Sequence, residues 1–368
     1  MKKHFLAIDF VVVTTVLLLF AVGTAAIYSA ADIGKLYVQL LAYSLGIISM
    51  ILISFWDYRS IQQNSNHIYF ISIFLLLIVF VFGIGKEETG AQSWIRFGGI
   101  GVQPSEFVKI LFCLYISCKL SSMIEENTLN NPKTLLIFLG KCLPVIGLVI
   151  FQNDTGSALV FVFMLAVCLF VSGIRPKFII AALIVTIATL PLMWLFMSDY
   201  QRDRILVFFN PEKDLLGAGY QVYLSKLAIA SGGIFGAGYR EGPLNSLSYL
   251  PEKDTDFIFS CLGEEFGMTG TVLTVTLFII LIFRCFYIAK TAADNQGRII
   301  CTGVASWLTF HVVENIGMTT GLLPVTGIPL PFVSYGGTSI VVSFASLGIM
   351  QAISALEARK GGGDNEHK

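Results

Sequence analysis

Apolar runs long enough to cross a bilayer follow one another along this chain, with only short polar breaks between them. A hydrocarbon core takes roughly 20 predominantly apolar residues of helix, and about ten stretches meet that condition. They are Ile8 to Ile27, Leu36 to Phe55, Ile68 to Gly85, Pro104 to Leu120, Thr134 to Phe151, Gly156 to Gly173, Phe178 to Met197, Phe257 to Ile288, Ile299 to Thr320 and Phe332 to Ser354. The eighth is long enough to begin outside the membrane or to tilt. Charge between the runs is uneven. With the N-terminus on the cytoplasmic side, the inner segments and adjoining helix ends carry Lys2, Lys3, Arg59, Lys119, Lys133, Arg175, Lys177, Arg284, Lys290, Arg298, Arg359, Lys360 and Lys368. The short outer loops carry only Lys35, Lys86 and Arg96. Lys and Arg near membrane ends favour the cytoplasm, so the pattern predicts both termini inside.

One outer segment, from Ser198 to Asp256, is far longer than the other breaks and holds most of the polar chemistry outside the apolar runs. Loops of that length are functional or disordered, and this composition argues against disorder. Tyr220 to Ala230 reads as an amphipathic helix lying at the interface, followed by the glycine-rich stretch Ser231 to Gly238.

Composition sharpens the same picture. With 55% hydrophobic and 13% charged residues, a soluble fold would expose large apolar patches. A formal net charge of zero removes the basic signature of nucleic-acid binding. The seven cysteines fall mostly inside apolar runs without a C-x-x-C pair, which suits small buried hydrophobes better than a metal or disulfide framework. Met1-Lys2-Lys3-His4 precedes a long run with no clean cleavage site, so it is read as a retained first helix. The expected fold is all-α: one polytopic integral membrane domain over residues 1–368, including the long outer loop 198–256.

Ionisable residues at membrane depth are expensive unless they pair or face a wet cavity. Glu106 and Lys109 are three apart behind Pro104, on one helix face, where a structural ion pair and a cavity-lining role are equally open. Asp154, in a tight turn before the sixth span, reads first as a helix cap. Glu264 with Glu265, and His311 with Glu314, make further polar faces that can hold helices together. Asp256 stands where the long loop meets the eighth span. As a bare feature it too is an N-cap candidate, and Asp254-x-Asp256 is a weak match to a cation-holding D-x-D. Arg202, Arg204, Lys213, Lys226 and Arg240 bring cations to the same loop, most of them ordinary solvated charge. A carboxylate base beside cations suits transfer chemistry with a phosphate leaving group. The glycine stretch lacks the G-K-[ST] ending of a nucleotide loop.

At this point the chain resembles the SEDS family (shape, elongation, division and sporulation), the RodA and FtsW peptidoglycan polymerases, over nearly its whole length. The likeness rests on Gly90-Ala91-Gln92-Ser93-Trp94-Ile95, on Gln103-Pro104-Ser105-Glu106-Phe107-Val108-Lys109, and on the loop from Tyr200-Gln201-Arg202 through Gly217-Ala218-Gly219-Tyr220-Gln221. It continues through Ser231-Gly232-Gly233, Pro251-Glu252, Thr255-Asp256-Phe257, Glu264-Glu265 and Asn315-Ile316-Gly317-Met318, and ends with Gly321 to Gly337. The short N-terminus and the wording at Asn315 look more like RodA than FtsW. The chain departs from the family at Asp254, where many relatives carry His, so the D-x-D idea gains nothing.

The resemblance implies a peptidoglycan glycosyltransferase that polymerises lipid II on the outer face of the bacterial cytoplasmic membrane, for elongation and rod shape. It implies that Asp256 is catalytic, overturning the capping-first reading, and that Glu106, Lys109 and Asp154 belong to the substrate cavity. An α-linked donor and β-linked product would make the reaction inverting. Arg204, Lys226 or a divalent cation would stabilise the diphosphate, with no organic cofactor. The expected partners are lipid II and a class B penicillin-binding protein. Two rivals stay open: a lipid II transporter, with the intramembrane charges lining its path, and a scaffold for a transpeptidase.

Overall fold

The computed structural model describes residues 8–85, 91–97, 100–197, 199–210, 217–246 and 250–363, so Lys2, Lys3, Lys86, Lys213 and Lys368 lie outside it. Ten long helices coincide with the ten predicted spans: α1 Phe10–Ala30, α2 Ile33–Ser54, α3 Ser65–Phe82, α4 Pro104–Glu125 and α5 Pro132–Phe151, then α6 Thr155–Val171, α7 Pro176–Phe196, α11 Ile258–Thr291, α12 Asn295–Thr320 and α13 Gly337–Gly363. Between α7 and α11 lie α8 Asp199–Phe209, α9 Ala218–Ser231 and the short α10 Pro243–Ser246. Among the described residues eight helices are long and apolar enough to cross a membrane, and α6 and the Pro176–Thr189 part of α7 are shorter apolar helices. The strand structure among the described residues is a small hairpin, β1 Ile95–Phe97 and β2 Ile100–Val102, ahead of α4, with one isolated bridge between Ile84 and Trp94.

Polar residues at the helix starts set the ends of the bundle. Asp9 accepts from the Val11 and Val12 amides at the start of α1 and from Arg284 Nε of α11 at 2.7 Å. Its own amide donates to Gln351 of α13, so the start of α1 and the late turns of α13 meet at one end. At that end Asp294 caps α12 through the Gly297 amide and takes Arg59 and Tyr58 as donors. The loop between α1 and α2, the long loop and Asp256 lie at the opposite end.

Packing is closest between α2 and α13, where Gly46 faces the Phe344 ring and Gly348 the Met50 backbone. Small residues let membrane helices approach in this way. In contrast, the side chains of α7 from Ile179 to Ala188 are exposed all round, so this apolar helix stands away from the bundle and suits contact with lipid.

Two boundaries need detail that the pattern of apolar runs did not carry. The long eighth span, read as starting outside the membrane or tilting, is broken at Gly267, whose φ of 62° and ψ of −157° are non-helical. The glycine-rich stretch fills the break, with Gly233 and Ile234 carbonyls accepting from the Met268 and Thr269 amides. The tenth helix begins at Gly337, not Phe332, because residues 321–336 form an irregular segment. Its buried backbone is satisfied by protein: Tyr43 donates to Phe332 O, Gln39 to Ser334 O, and Ser334 Oγ accepts from the Leu330 amide. Non-helical backbone at membrane depth is tolerated only with such partners.

The expected interfacial helix exists as α9 but is docked on α11 and α12. A narrow stripe of Leu224, Ser225 and Ala228 is buried, with Ser225 bonded to Ser260 and the Thr319 carbonyl. Its outer face is not uniformly polar, since Tyr220, Tyr223 and Leu227 are exposed beside Lys226.

Candidate active site

The turn Glu252 to Phe257 leads into α11, and its shape decides what Asp256 does. Glu252 has a positive φ of 49°, and the Thr255 and Phe257 amides fold back onto its carbonyl. Helix α11 therefore starts at Ile258 with Phe257 at the cap position and no side-chain cap bond. Asp256 does not cap the helix. Three successive carbonyls pin the turn: Asp254 O accepts from the Tyr335 amide, Thr255 O from Ser334 Oγ and Asp256 O from Asn315 Nδ2. The side chains of Asp254 and Asp256 then go to different neighbours, Asp254 to Lys35 in an ion pair and Asp256 to the irregular segment beside Gly327.

There Asp256 Oδ2 lies 3.3 Å, and Arg204 Nη1 3.8 Å, from the place where a β carbon on Gly327 would sit. Arg204 is held on α8 by donating to Val325 O at 3.0 Å. The Asp256 carboxylate makes no hydrogen bond or ion pair among the described residues. Burial and then the neighbouring Glu252 push its carboxyl up to about 7; the Arg204 charge pulls the other way and Asp254 adds to the rise. A carboxylate with a pKa near neutral and no structural bond to hold is suited to general-base work.

Several polar residues bond the irregular segment on either side of Gly327. Asn315 donates to Ile328 O as well as to Asp256 O, and Thr326 donates to Glu314. Asp154 caps α6 through the Ser157 amide and accepts from Gln103 at the start of α4, so the capping reading holds for it. Its turn abuts the same segment, since a side chain on Gly156 would meet Thr326 O and Ile328. Deeper in the bundle Lys109 is 2.7 Å from Glu106 and 3.0 Å from His311 Nε2, with the Trp307 ring 5.0 Å away. His311 Nδ1 in turn contacts Pro329 O at 3.1 Å. The Glu106–Lys109 pair is thus fully buried and tied to the segment through His311, while Glu106 Oε2 has no hydrogen-bond partner among the described residues.

Lys226 is exposed on α9 with its side chain over Gly321, at the start of the segment, and is not brought into contact with Asp256. Arg202 serves structure, donating to the Trp194 and Leu195 carbonyls at the end of α7. Glu264 accepts from the Leu244 and Asn245 amides, and Glu265 from Ser29 and Asn245, so both hold the loop to α11. Sequence reasoning gave no role to Gly327, Asn315 or Ser334. The only signal was their place in the motif stretches, because partners far along the chain define what they do.

No group of three or more His, Cys, Asp or Glu among the described residues is arranged to hold a metal ion. With Asp254 engaged by Lys35 and Arg204 beside Asp256, the donor set does not fit a resident divalent cation.

The chain matches the FtsW/RodA/SpoVE family, described as "Cell cycle protein", over residues 3–359. It is 36% identical over 326 residues to the peptidoglycan glycosyltransferase MrdB of Escherichia coli K12, covering 88% of this chain and 87% of that one. Its fold is similar to a chain of a peptidoglycan synthase complex that coordinates polymerization and crosslinking, with a TM-score of 0.82, 30% identity and coverage of 96% and 99% of the two chains. It is also similar to the rod shape determining protein RodA of Thermus thermophilus, with a TM-score of 0.71, 28% identity and coverage of 95% and 97%.

Proposed function

The chain belongs to the FtsW/RodA/SpoVE family of cell cycle proteins, and on that premise we propose that it is a peptidoglycan glycosyltransferase that polymerises lipid II into glycan strands for elongation. The observation that carries this reading is Asp256: a carboxylate at the loop–helix junction that caps nothing, with a pKa near neutral and a guanidinium beside it.

Asp256 takes the proton of the acceptor 4-hydroxyl as that oxygen bonds to the anomeric carbon of the lipid-linked donor. The bond from that carbon to the diphosphate breaks on the opposite side, which inverts the centre. Arg204, beside Asp256 at Gly327, would meet the developing phosphate charge, and Lys226 on α9, over Gly321, would approach a longer lipid diphosphate. A divalent cation, where one takes part, arrives with the diphosphate, since the protein donors do not form its cage; no step above depends on it.

The arrangement also supports both termini in the cytoplasm and the site on the outer face. Asp9 and Gln351 meet at one end of the bundle and Asp256 lies at the other, in line with the Lys and Arg bias. The likeness to a synthase chain supports a class B penicillin-binding protein as partner. A transporter has less support: α11 is a broken helix, yet the exposed amides of its second half are taken by Gly233 and Ile234 rather than facing a path.

Purified protein given lipid II should build glycan strands, and Asp256→Asn should reduce the rate at least a hundredfold, the scale of general-base catalysis. Equal rates would remove Asp256 from the mechanism. Lipid II movement across sealed vesicles without polymer would favour the transporter.

A further inference from the structure

Beside the Glu252–Asp256 turn lies a concavity of about 450 Å³, lined mainly by polar side chains, in whose wall Glu252, Lys253 and Asp254 stand. Its charged walls are Asp32, Lys35, Arg240, Glu252, Lys253 and Asp254. Several of these charges are already engaged. Lys35 pairs with Asp254, Lys253 donates to the Asn245 carbonyl, and one Glu252 oxygen accepts from Thr255 at 2.9 Å.

Two are not. Asp32 stands at the cap position of α2, where an Asp ordinarily accepts an amide of the first turn, yet its side chain makes no cap bond. Arg240 forms no ion pair among the described residues and is steadied instead by the Tyr28 ring, 5.0 Å from its guanidinium carbon. Its backbone is held at a φ of 63°, a strained value for a residue with a β carbon. The pocket thus offers one oriented cation and, in Asp32, a carboxylate without a hydrogen-bond or ion-pair partner among the described residues, on separate segments of the chain. Its volume falls within the range of small-ligand sites.

We propose that this pocket is a subsite for a zwitterionic peptide, and that its occupant is the peptide stem carried by the lipid-linked sugar substrate. A peptide carboxylate would meet Arg240 and a side-chain ammonium Asp32. The inference rests on the glycosyltransferase reading for its ligand. Placement supports it, because Asp254 in the pocket wall and Asp256 at the reacting carbon are two residues apart on one pinned turn. Five extended residues reach about 17 Å, so a stem attached beside the reacting bond is long enough to reach the pocket.

The test compares purified parent, Arg240→Ala, Arg240→Lys and Asp32→Asn proteins on two substrates: lipid II with its full pentapeptide, and the same lipid-linked disaccharide with the stem cut to one residue. The parent should prefer the full stem in kcat/KM by about tenfold, the scale of one charge-assisted contact. Arg240→Ala and Asp32→Asn should each bring the ratio close to one, chiefly through KM, and Arg240→Lys should restore part of it. A parent indifferent to the stem, or variants that keep its preference, would overturn the proposal. Failure to polymerise either substrate would instead sink the glycosyltransferase reading. Binding of the free pentapeptide, followed by calorimetry, then tests the pocket alone: binding to the parent and not to Arg240→Ala supports it, and equal binding or none to the parent rejects it.

Discussion

Asp256 and Arg204 both reach the missing side chain of Gly327, their Oδ2 and Nη1 atoms 3.3 and 3.8 Å from the point where a β carbon would begin. Gly327 also has a φ of 76°, in the left-handed region, which costs a residue with a side chain about 1–2 kcal/mol. Gly327→Ala should therefore lower polymerisation by at least tenfold while the protein still folds, as read from its elution and melting in detergent. An Ala variant with the parental rate would show that the space beside Asp256 is not used.

The pH dependence follows from the Asp256 carboxyl lying near 7. Only the ionised form accepts a proton, so the rate should climb from pH 5 to 8, with about a tenth of the plateau at pH 6. Glu252→Gln removes a neighbouring negative charge and should move the limb to lower pH, whereas Arg204→Gln should move it higher. Stability runs the other way. A folded pKa above the unfolded value of about 4 favours the protonated form, so its stabilising contribution is present below pH 4 and lost as pH rises through about 7. Asp256→Asn should then melt at or above the parental temperature at pH 8 although it is inactive. A pH–rate profile flat from 5 to 8 would exclude Asp256 as the titrating base.

The ten spans were legible because each crossing is a local property: a run of apolar residues and its flanking charges. Asp154 was legible for the same reason, since its capping partner Ser157 is three residues away. Asp256 was not legible from its local pattern, which reads first as a cap; only the family resemblance pointed past that reading. What removes it from capping is a turn set by partners at Asn315, Ser334 and Tyr335, which no local pattern reports. The break at Gly267 was hidden likewise, its glycine embedded in an apolar run and its missing bonds supplied by residues 233 and 234.

That break gives a further prediction. A β carbon on Gly267 would collide with the Gly236 amide nitrogen, at a φ of 62°. Both the contact and the backbone angle oppose substitution, so Gly267→Ala should destabilise by at least about 2 kcal/mol. Gly147→Ala is the control. Gly147 lies inside α5 with nothing near its added carbon, and the change should be neutral or stabilise by up to about 1 kcal/mol. Thermal unfolding in one detergent compares them, and equal melting of the two variants would argue that the glycine-rich loop does not fasten α11.

The buried Glu106–Lys109 pair separates stability from activity. Removing one partner leaves an uncompensated charge and costs about 3–5 kcal/mol, whereas replacing both with apolar groups is often near neutral. Glu106→Ala and Lys109→Ala should each lower the melting point strongly, and the double change Glu106→Leu with Lys109→Met should recover most of it. Activity should not return with stability. Lys109 contacts His311 Nε2, and His311 Nδ1 contacts Pro329 O two residues past Gly327, so removing the ammonium frees His311 from one of its two holds and loosens the segment beside Asp256. Polymerisation by the double variant should stay at least tenfold below the parent. If its rate recovers along with its melting point, the pair serves packing alone.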